Sequence, residues 1–194
     1  MGVTRLQDLS VRSLLDEVAS ESPTPGGGAL AALTAALAAG LVEMAARNSP
    51  EWELRGAAIA QARVLRERLS ELAPLNDEVY EHALAALRLP DAVDSGSKSD
   101  LIGPSLERAA AFPLAIAEAA SNVAELAAVV SEDGSPVARA DATAAAMLAL
   151  GATRAAAHLV EINLGVREQD ERLLRATRLA ADAAAASARS LAVV

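Results

Sequence analysis

Along residues 28–47, apolar side chains recur at three- and four-residue spacings, placing Leu30, Leu33, Leu37, Leu41 and Met44 on one helical stripe. Only Glu43 carries a charge between positions 28 and 46. A helix apolar nearly all round sits at the centre of a bundle or in a subunit interface. Residues 4–19 read as a short amphipathic helix with Leu6, Leu9 and Leu14 on its apolar side. Pro50 opens the next helix, as proline's tolerance in a first turn allows. Its apolar stripe is Ile59, Ala62, Leu65, Leu69 and Leu72, and Arg63, Arg66, Glu67 and Arg68 form its solvated side. Pro74 is expected to bend or locally break it, with the pattern resuming from Asn76 to Leu89. Residues 90–100 are the one clear polar loop.

Three more helices follow: about 101–131, with Pro104 near its start and Pro113 a kink; 137–164, closing near Asn163 and Gly165; and about 167–191. Asp133-Gly134-Ser135-Pro136 is the turn between the first two. In the last, Glu168/Arg172 and Glu171/Arg175 have the favourable i,i+4 order. No segment alternates β-branched and aromatic residues as a strand would. The pattern predicts one all-α domain over residues 1–194, a bundle of five to six helices, several of them long and rich in Ala and Leu.

Composition sharpens this picture. Apolar residues make up 53% of the 194 but aromatics only 2%, so the core must be built from Ala, Leu and Val, which favours closely spaced helices. The formal charge of −9 argues against nucleic acid or an anionic membrane surface as a partner, because both need Lys/Arg to neutralise phosphate. With no cysteine, disulfides, iron–sulfur clusters and thiol chemistry are excluded, which fits a cytoplasmic protein. Met1 is followed by charged residues within a few positions, so no secretory signal is expected. Glu43, Glu118 and Glu125 interrupt the most apolar stretches, which read as bundle helices rather than membrane spans.

The candidate chemistry begins at Ser22-Pro23-Thr24-Pro25-Gly26-Gly27-Gly28, directly before the apolar helix. Two prolines hold the chain extended and the glycines bring bare backbone close to whatever lies beside them. Ser22 and Thr24 can cap or bond locally, and the helix start offers unpaired N–H groups to a polar or anionic ligand. The alternative use of the same glycines is a tight crossing of two helices. No Lys-Ser/Thr follows them and no strand precedes them, so this is not a P-loop. His82 and His158 lack metal-ligand spacing and read as structural or surface residues, and no metal is expected. Tyr80 and Trp52 can stack on a ring system or simply pack.

On these residues the chain resembles the formiminotetrahydrofolate cyclodeaminase / methenyltetrahydrofolate cyclohydrolase family. The resemblance runs from Leu14-Leu15-Asp16-Glu17-Val18-Ala19-Ser20 through the proline–glycine turn to Ala38-Ala39-Gly40-Leu41-Val42-Glu43-Met44. It continues at Leu72-Ala73, Tyr80, Leu89-Pro90, Pro113-Leu114, Gly134, Asp141 and Ile162-Asn163-Leu164, covering roughly residues 10–170. It departs from the family pattern at Asn76, where an acidic residue is usual, at Lys98 in place of an arginine, at Ser135 and at Arg47, each in place of an asparagine, and at Ala140 in place of a serine.

The resemblance implies an all-helical homodimer acting on the one-carbon unit of a tetrahydrofolate derivative by acid–base chemistry. The folate is then substrate, with no permanently bound cofactor and no nucleic-acid or membrane partner. Asp141, about one turn into its helix, is the first candidate carboxylate, because a helix start favours the ionised form; otherwise it is an ordinary helix-start acid. Asp77, one place beyond Asn76, is the second. Ser22, Thr24 and the amides of Gly26, Gly27 and Gly28 would cradle polar substrate atoms, with Asn76 contributing hydrogen bonds. Lys98 can pair with a folate carboxylate, and Asn163 either orients substrate or caps its helix. This reading expects the glycine turn and Asp141 to face one pocket, within a subunit or across a partner. Its alternative is a relative that has lost the chemistry and serves as a folate-binding or scaffold protein.

Overall fold

The computed structural model describes the backbone over residues 6–87, 95–165 and 170–193, with side chains except those of 82–84, 86–87, 95–104 and 106. Among the described residues there are six α-helices: α1 (Val11–Val18), α2 (Gly27–Arg47), α3 (Arg55–Leu87), α4 (Ser95–Asp133), α5 (Arg139–Leu164) and α6 (Glu171–Ala192). This is the all-α bundle the sequence predicts.

Several boundaries move. Residues 6–8 form a separate 3-10 turn, and α1 starts at Val11, where the Ser10 hydroxyl accepts from the Ser13 amide at 3.1 Å. Pro50 lies in a turn segment and α3 starts only at Arg55. The cause is Ser49, whose hydroxyl donates to Ala45 O at 3.0 Å and accepts from Ser135 N at 2.8 Å, tying residues 49–54 to the α4–α5 turn. Pro74 does not break α3, which is continuous through it; a proline removes one donor, and packing on both sides carries the helix across. The expected polar loop at 90–100 is helical from Ser95, so Pro104 and Pro113 lie inside α4; residues 88–94 are outside the described residues. The last helix starts at Glu171, capped by Asp170. Arg175 pairs with Glu118 on α4 at 2.9 Å and Arg172 with Asp170 at 2.6 Å; Glu168, the i,i+4 partner expected for Arg172, lies outside the described residues.

The largest correction concerns α2. Its interior face is alanine: Ala29, Ala32, Ala35, Ala38 and Ala39 are fully buried, together with Val42, Ala45 and Ala46. The leucine stripe points the other way. Leu30, Leu33 and Leu41 are only half-buried, Met44 is 39% exposed and Leu37 is 71% exposed. α2 packs against α3, α4 and α5, and small side chains let those helix axes come close. Each buried methyl contributes on the order of 0.8 kcal/mol and alanine loses no rotamer freedom. An alanine face therefore suits the crowded side, leaving leucine for the open one. On α3 the expected stripe is inward, with Ala62, Leu65 and Leu69 buried and Ile59 and Leu72 packed at the core's edge.

Three helical stretches, Gly27–Arg47, Glu107–Asp133 and Pro136–Leu164, are long and apolar enough by length and composition to cross a membrane; here they pack against one another in the bundle. One charge enters the α2–α3 boundary. Glu43, 7% exposed, accepts from Arg47 at 2.6 Å and from Arg63 at 3.4 Å, and its second oxygen faces Arg66 at 3.5 Å. The Arg47 hydrogen bond, opposed by burial and helped by Arg63 and Arg66, holds this carboxyl below the usual range.

Candidate functional site

The proline–glycine turn enters α2 through a cis Thr24–Pro25 peptide. Gly26 is the N-cap residue of α2, in extended conformation. α3 runs back alongside α2, bringing Asn76 and Asp77 to this end of the bundle. The Gly26 amide donates to Asp77 Oδ1 at 3.2 Å. Asn76 lies against Gly28 so closely that a Cβ there would stand 2.6 Å from the Asn76 Cγ. Both uses of glycine anticipated from sequence therefore meet here: a close helix approach and a bare helix start.

A cavity of about 240 Å³ opens at this junction, lined by Gly26, Gly27, Gly28, Asn76, Tyr80 and Asn163 with Pro23, Ala109, Pro113, Leu159 and Ile162. Four elements converge on it: the turn, α3, α4 and the last turn of α5. Asn163 is held by its Nδ2 donating to Ala109 O at 3.3 Å, so it bridges α5 to α4, while Gly165, at φ 62°, ends the helix. The first-turn amides of a helix have no intrahelical acceptor, and Gly27 and Gly28 carry two of them at this wall. Asp77 is 8% exposed. Burial raises its carboxyl above the ordinary value, opposed by the Gly26 and Asn76 hydrogen bonds and reinforced by Glu81.

The structure thus brings together Gly26, Gly27, Gly28, Asn76, Asp77 and Asn163, six of the residues singled out from sequence. It assigns the two hydroxyls differently from the expected cradle. Ser22 is exposed and its hydroxyl donates to Thr24 O at 2.7 Å, while Thr24 Oγ1 donates to Glu81 Oε1 at 2.8 Å; they shape the turn rather than line the cavity. Lys98 lies on the first turns of α4, with its side chain outside the described residues. His158 is exposed and faces Glu161 at 3.4 Å.

Asp141 lies apart from these residues within one chain. It stands exposed in the first turn of α5, and Asn163 in the last, roughly 33 Å apart at 1.5 Å per residue. Within one chain the glycine turn and Asp141 occupy opposite ends of the bundle. A larger cavity of about 660 Å³ lies at that far end, lined by Ser49, Trp52, Gly134 and Ser135 among others. Its buried polar group, the Ser49 hydroxyl, is already committed to Ala45 and Ser135, and Trp52 belongs to this end rather than to the glycine pocket.

Sequence reading missed Glu81, and it named Pro113 as a kink and Leu159 as a departure from a family asparagine without giving either a place in the cavity wall. Glu81 had a usable signal: it stands i+4 from Asp77, one turn on along α3. Pro113 was read as a kink, and its place in the cavity wall depends on the α4–α5 crossing, which periodicity does not encode.

Known proteins share both this sequence pattern and this architecture. A family model described as formiminotransferase-cyclodeaminase matches residues 10–183. A methenyltetrahydrofolate cyclohydrolase of Methylorubrum extorquens is 29% identical, covering 93% of each chain. The crystal structure of formiminotetrahydrofolate cyclodeaminase from Thermotoga maritima superposes with a TM-score of 0.84 at 22% identity, covering 95% of both chains; at that identity the likeness is one of fold.

Proposed function

The chain belongs to the formiminotransferase-cyclodeaminase family, and we propose that it hydrolyses methenyltetrahydrofolate in the pocket beside the glycine turn. The observation that carries this reading is the convergence of the glycine turn, Asn76 and Asn163 on one cavity, with Asp77 bonded to the turn itself. The similarity over 93% of both chains to a protein named methenyltetrahydrofolate cyclohydrolase supports the same choice.

In this reaction water adds to the bridging amidinium carbon and gives up a proton. One carbon–nitrogen bond of the adduct then opens as the departing nitrogen takes a proton up. The reacting centre is cationic, so a nearby carboxylate both stabilises it and can accept the proton. Asp77 is the buried carboxylate at this end of the bundle, and its raised proton affinity makes it a better base than a solvated aspartate. Asn76 and Asn163 each offer a donor and an acceptor, matching the amide edge of a pterin ring. Tyr80 supplies a flat apolar surface at the wall.

The family description favours a second reaction in the same pocket, loss of ammonia from formiminotetrahydrofolate as a neighbouring nitrogen attacks the formimino carbon. Its acid–base needs are alike. Purified protein mixed with methenyltetrahydrofolate is expected to consume its near-ultraviolet absorbance faster than buffer does. Ammonia release from formiminotetrahydrofolate decides between the two reactions. Absence of both, with folate still bound, would reassign the chain to a binding role. We include a homodimer in this proposal, since the leucine face of α2 has no cover among the described residues.

A further inference from the structure

We infer that Thr24 and Glu81 are positioning residues, their hydrogen bond a second anchor that keeps the glycine turn on α3 while Asp77 gains and loses a proton. Among the described residues two hydrogen bonds carry the turn to α3. The Gly26 amide donates to Asp77 Oδ1 at 3.2 Å, and Thr24 Oγ1 donates to Glu81 Oε1 at 2.8 Å. The two acids stand one helical turn apart, a rise of about 6 Å. The two donors stand two residues apart, a reach of at most about 7 Å. The register fits. Pro25, between the donors, is buried and has no N–H of its own. Ser22 sets Thr24 in place, its hydroxyl donating to Thr24 O at 2.7 Å and accepting from Thr24 N at 3.4 Å.

The sequence of α3 shows why both acids need these donors. Asp77 and Glu81 are like charges at i,i+4, a pairing that weakens a helix standing alone. No Lys or Arg of α3 stands three or four residues from either of them. The turn answers each acid with a neutral donor instead.

The two anchors differ in what the chemistry asks of them. Asp77 is buried, and as the base it changes charge during each turnover. A hydrogen bond to an ionised acceptor is about twice as strong as one to a neutral acceptor. The hold on Gly26 therefore slackens at the moment the proton arrives. Gly27 and Gly28, next along the chain, wall the cavity, and a turn that shifted then would carry that wall away from the opening adduct. The bond between Thr24 and Glu81 has no part in the proton transfer and keeps the turn where it was. The charged group acting on Asp77 is Glu81 on its own helix, while the described cavity lining from the turn, α4 and α5 carries no charge. The anchor itself stands on the hydrogen bonds; its use during turnover rests on the hydrolysis reading above.

Amide hydrogen exchange, followed by NMR, tests the anchor without any folate. Asp77→Asn keeps an acceptor for Gly26 but holds it neutral. In that background Thr24→Val is expected to speed Gly26 N–H exchange about tenfold, the loss of one hydrogen bond. Glu81→Ala should do the same. Thr24→Ser and Glu81→Gln, which keep the donor and the acceptor, should recover most of the protection. Unchanged Gly26 exchange on adding Thr24→Val to Asp77→Asn overturns the anchor, whatever the protein turns over. If that double variant fails to fold, Thr24→Val alone is followed as pH falls through the Asp77 titration. Its Gly26 exchange, corrected for the intrinsic pH dependence, is expected to quicken there far more than in the wild type, and equal curves overturn the proposal.

With methenyltetrahydrofolate as substrate, Thr24→Val is expected to lower kcat about tenfold with KM little changed, because the bond is needed only once Asp77 holds the proton. Thr24→Ser should recover most of the rate. A raised KM with kcat unchanged would make Thr24 an ordinary substrate contact and overturn its part in turnover. If the wild type consumes no folate, the hydrolysis reading fails, and the exchange measurements alone decide the anchor.

Discussion

The two ends of the bundle hold their polar groups differently. At the glycine-turn end, Asn76 and Asp77 are buried on α3 and aimed at a bare backbone, and the cavity beside them is small and enclosed by four elements. At the far end the cavity is larger but open, its buried hydroxyl is spent on the turn between α4 and α5, and Asp141 stands in solvent. Size is therefore the poorer guide. What distinguishes the first end is a carboxylate taken out of water with no counter-charge among the described residues, a costly arrangement that a bundle stapled only for stability has no reason to keep.

The sharpest way to break this comparison is Asp77→Asn. If Asp77 is the base, kcat/KM is expected to fall about 10²–10⁴-fold. Stability should not fall with it. Burial raises the folded carboxyl above its unfolded value, so whatever stability the group contributes is fully present below the unfolded value and lost as pH rises through the folded one. At neutral pH the amide removes that loss and can still accept from Gly26, so the melting temperature is expected to hold or rise. The wild-type rate should climb with pH as Asp77 loses its proton, with a midpoint above that of an ordinary aspartate, and Asp77→Asn should abolish that limb. A drop in melting temperature parallel to the drop in rate would make Asp77 a structural residue.

A smaller effect is expected from Gly28→Ala. The added methyl would overlap the Asn76 side chain, which is buried and has little room to swing. Overpacking of this kind costs about 1–3 kcal/mol, read as a lowered melting temperature of roughly 2–4 °C per kcal/mol for a chain of this size. Adding Asn76→Ala should restore the melt while leaving activity low. Recovery of both would show that Asn76 fills space and nothing more.

Glu43→Gln probes the same α2–α3 boundary nearer the far end. The Arg47, Arg63 and Arg66 side chains are 52%, 51% and 45% exposed, so they rehydrate when the charge is removed, and the loss is discounted to about 1–2 kcal/mol. Glu43 is held below its ordinary value, so its contribution is present above the unfolded value and disappears as pH falls through the folded one. Denaturant melts of the two proteins should therefore converge in acid. A gap that persists there would mean that packing, not charge, carries the boundary.

How these residues were readable from sequence follows from what periodicity encodes. The helices and the turn were legible because spacing and proline–glycine chemistry are local. Which face of α2 turned inward was not: the leucine stripe is the more hydrophobic, yet the alanines are buried because α3, α4 and α5 approach closely. An apolar stripe ranks side chains by their aversion to water, whereas the distance between helix axes ranks them by size. The site divided along the same line. Asn76 and Asp77 could be read from the family spacing, but placing Asp141 beside them required knowing that α5 runs from the far end to the pocket rather than starting at it.

Asp141→Asn is expected to do least. An exposed helix-start carboxylate interacts with the helix dipole by about 0.3–1 kcal/mol, and most surface substitutions fall within about 0.5 kcal/mol. The melting temperature should move by a degree or two and the rate by less than threefold. The contrast with Asp77→Asn is what matters, because the two changes remove the same charge from opposite ends of one bundle. A hundredfold loss at Asp141 with little change at Asp77 would reverse the assignment. The reacting centre would then have to lie where α5 begins, reachable by the glycine turn only through a second copy of the chain.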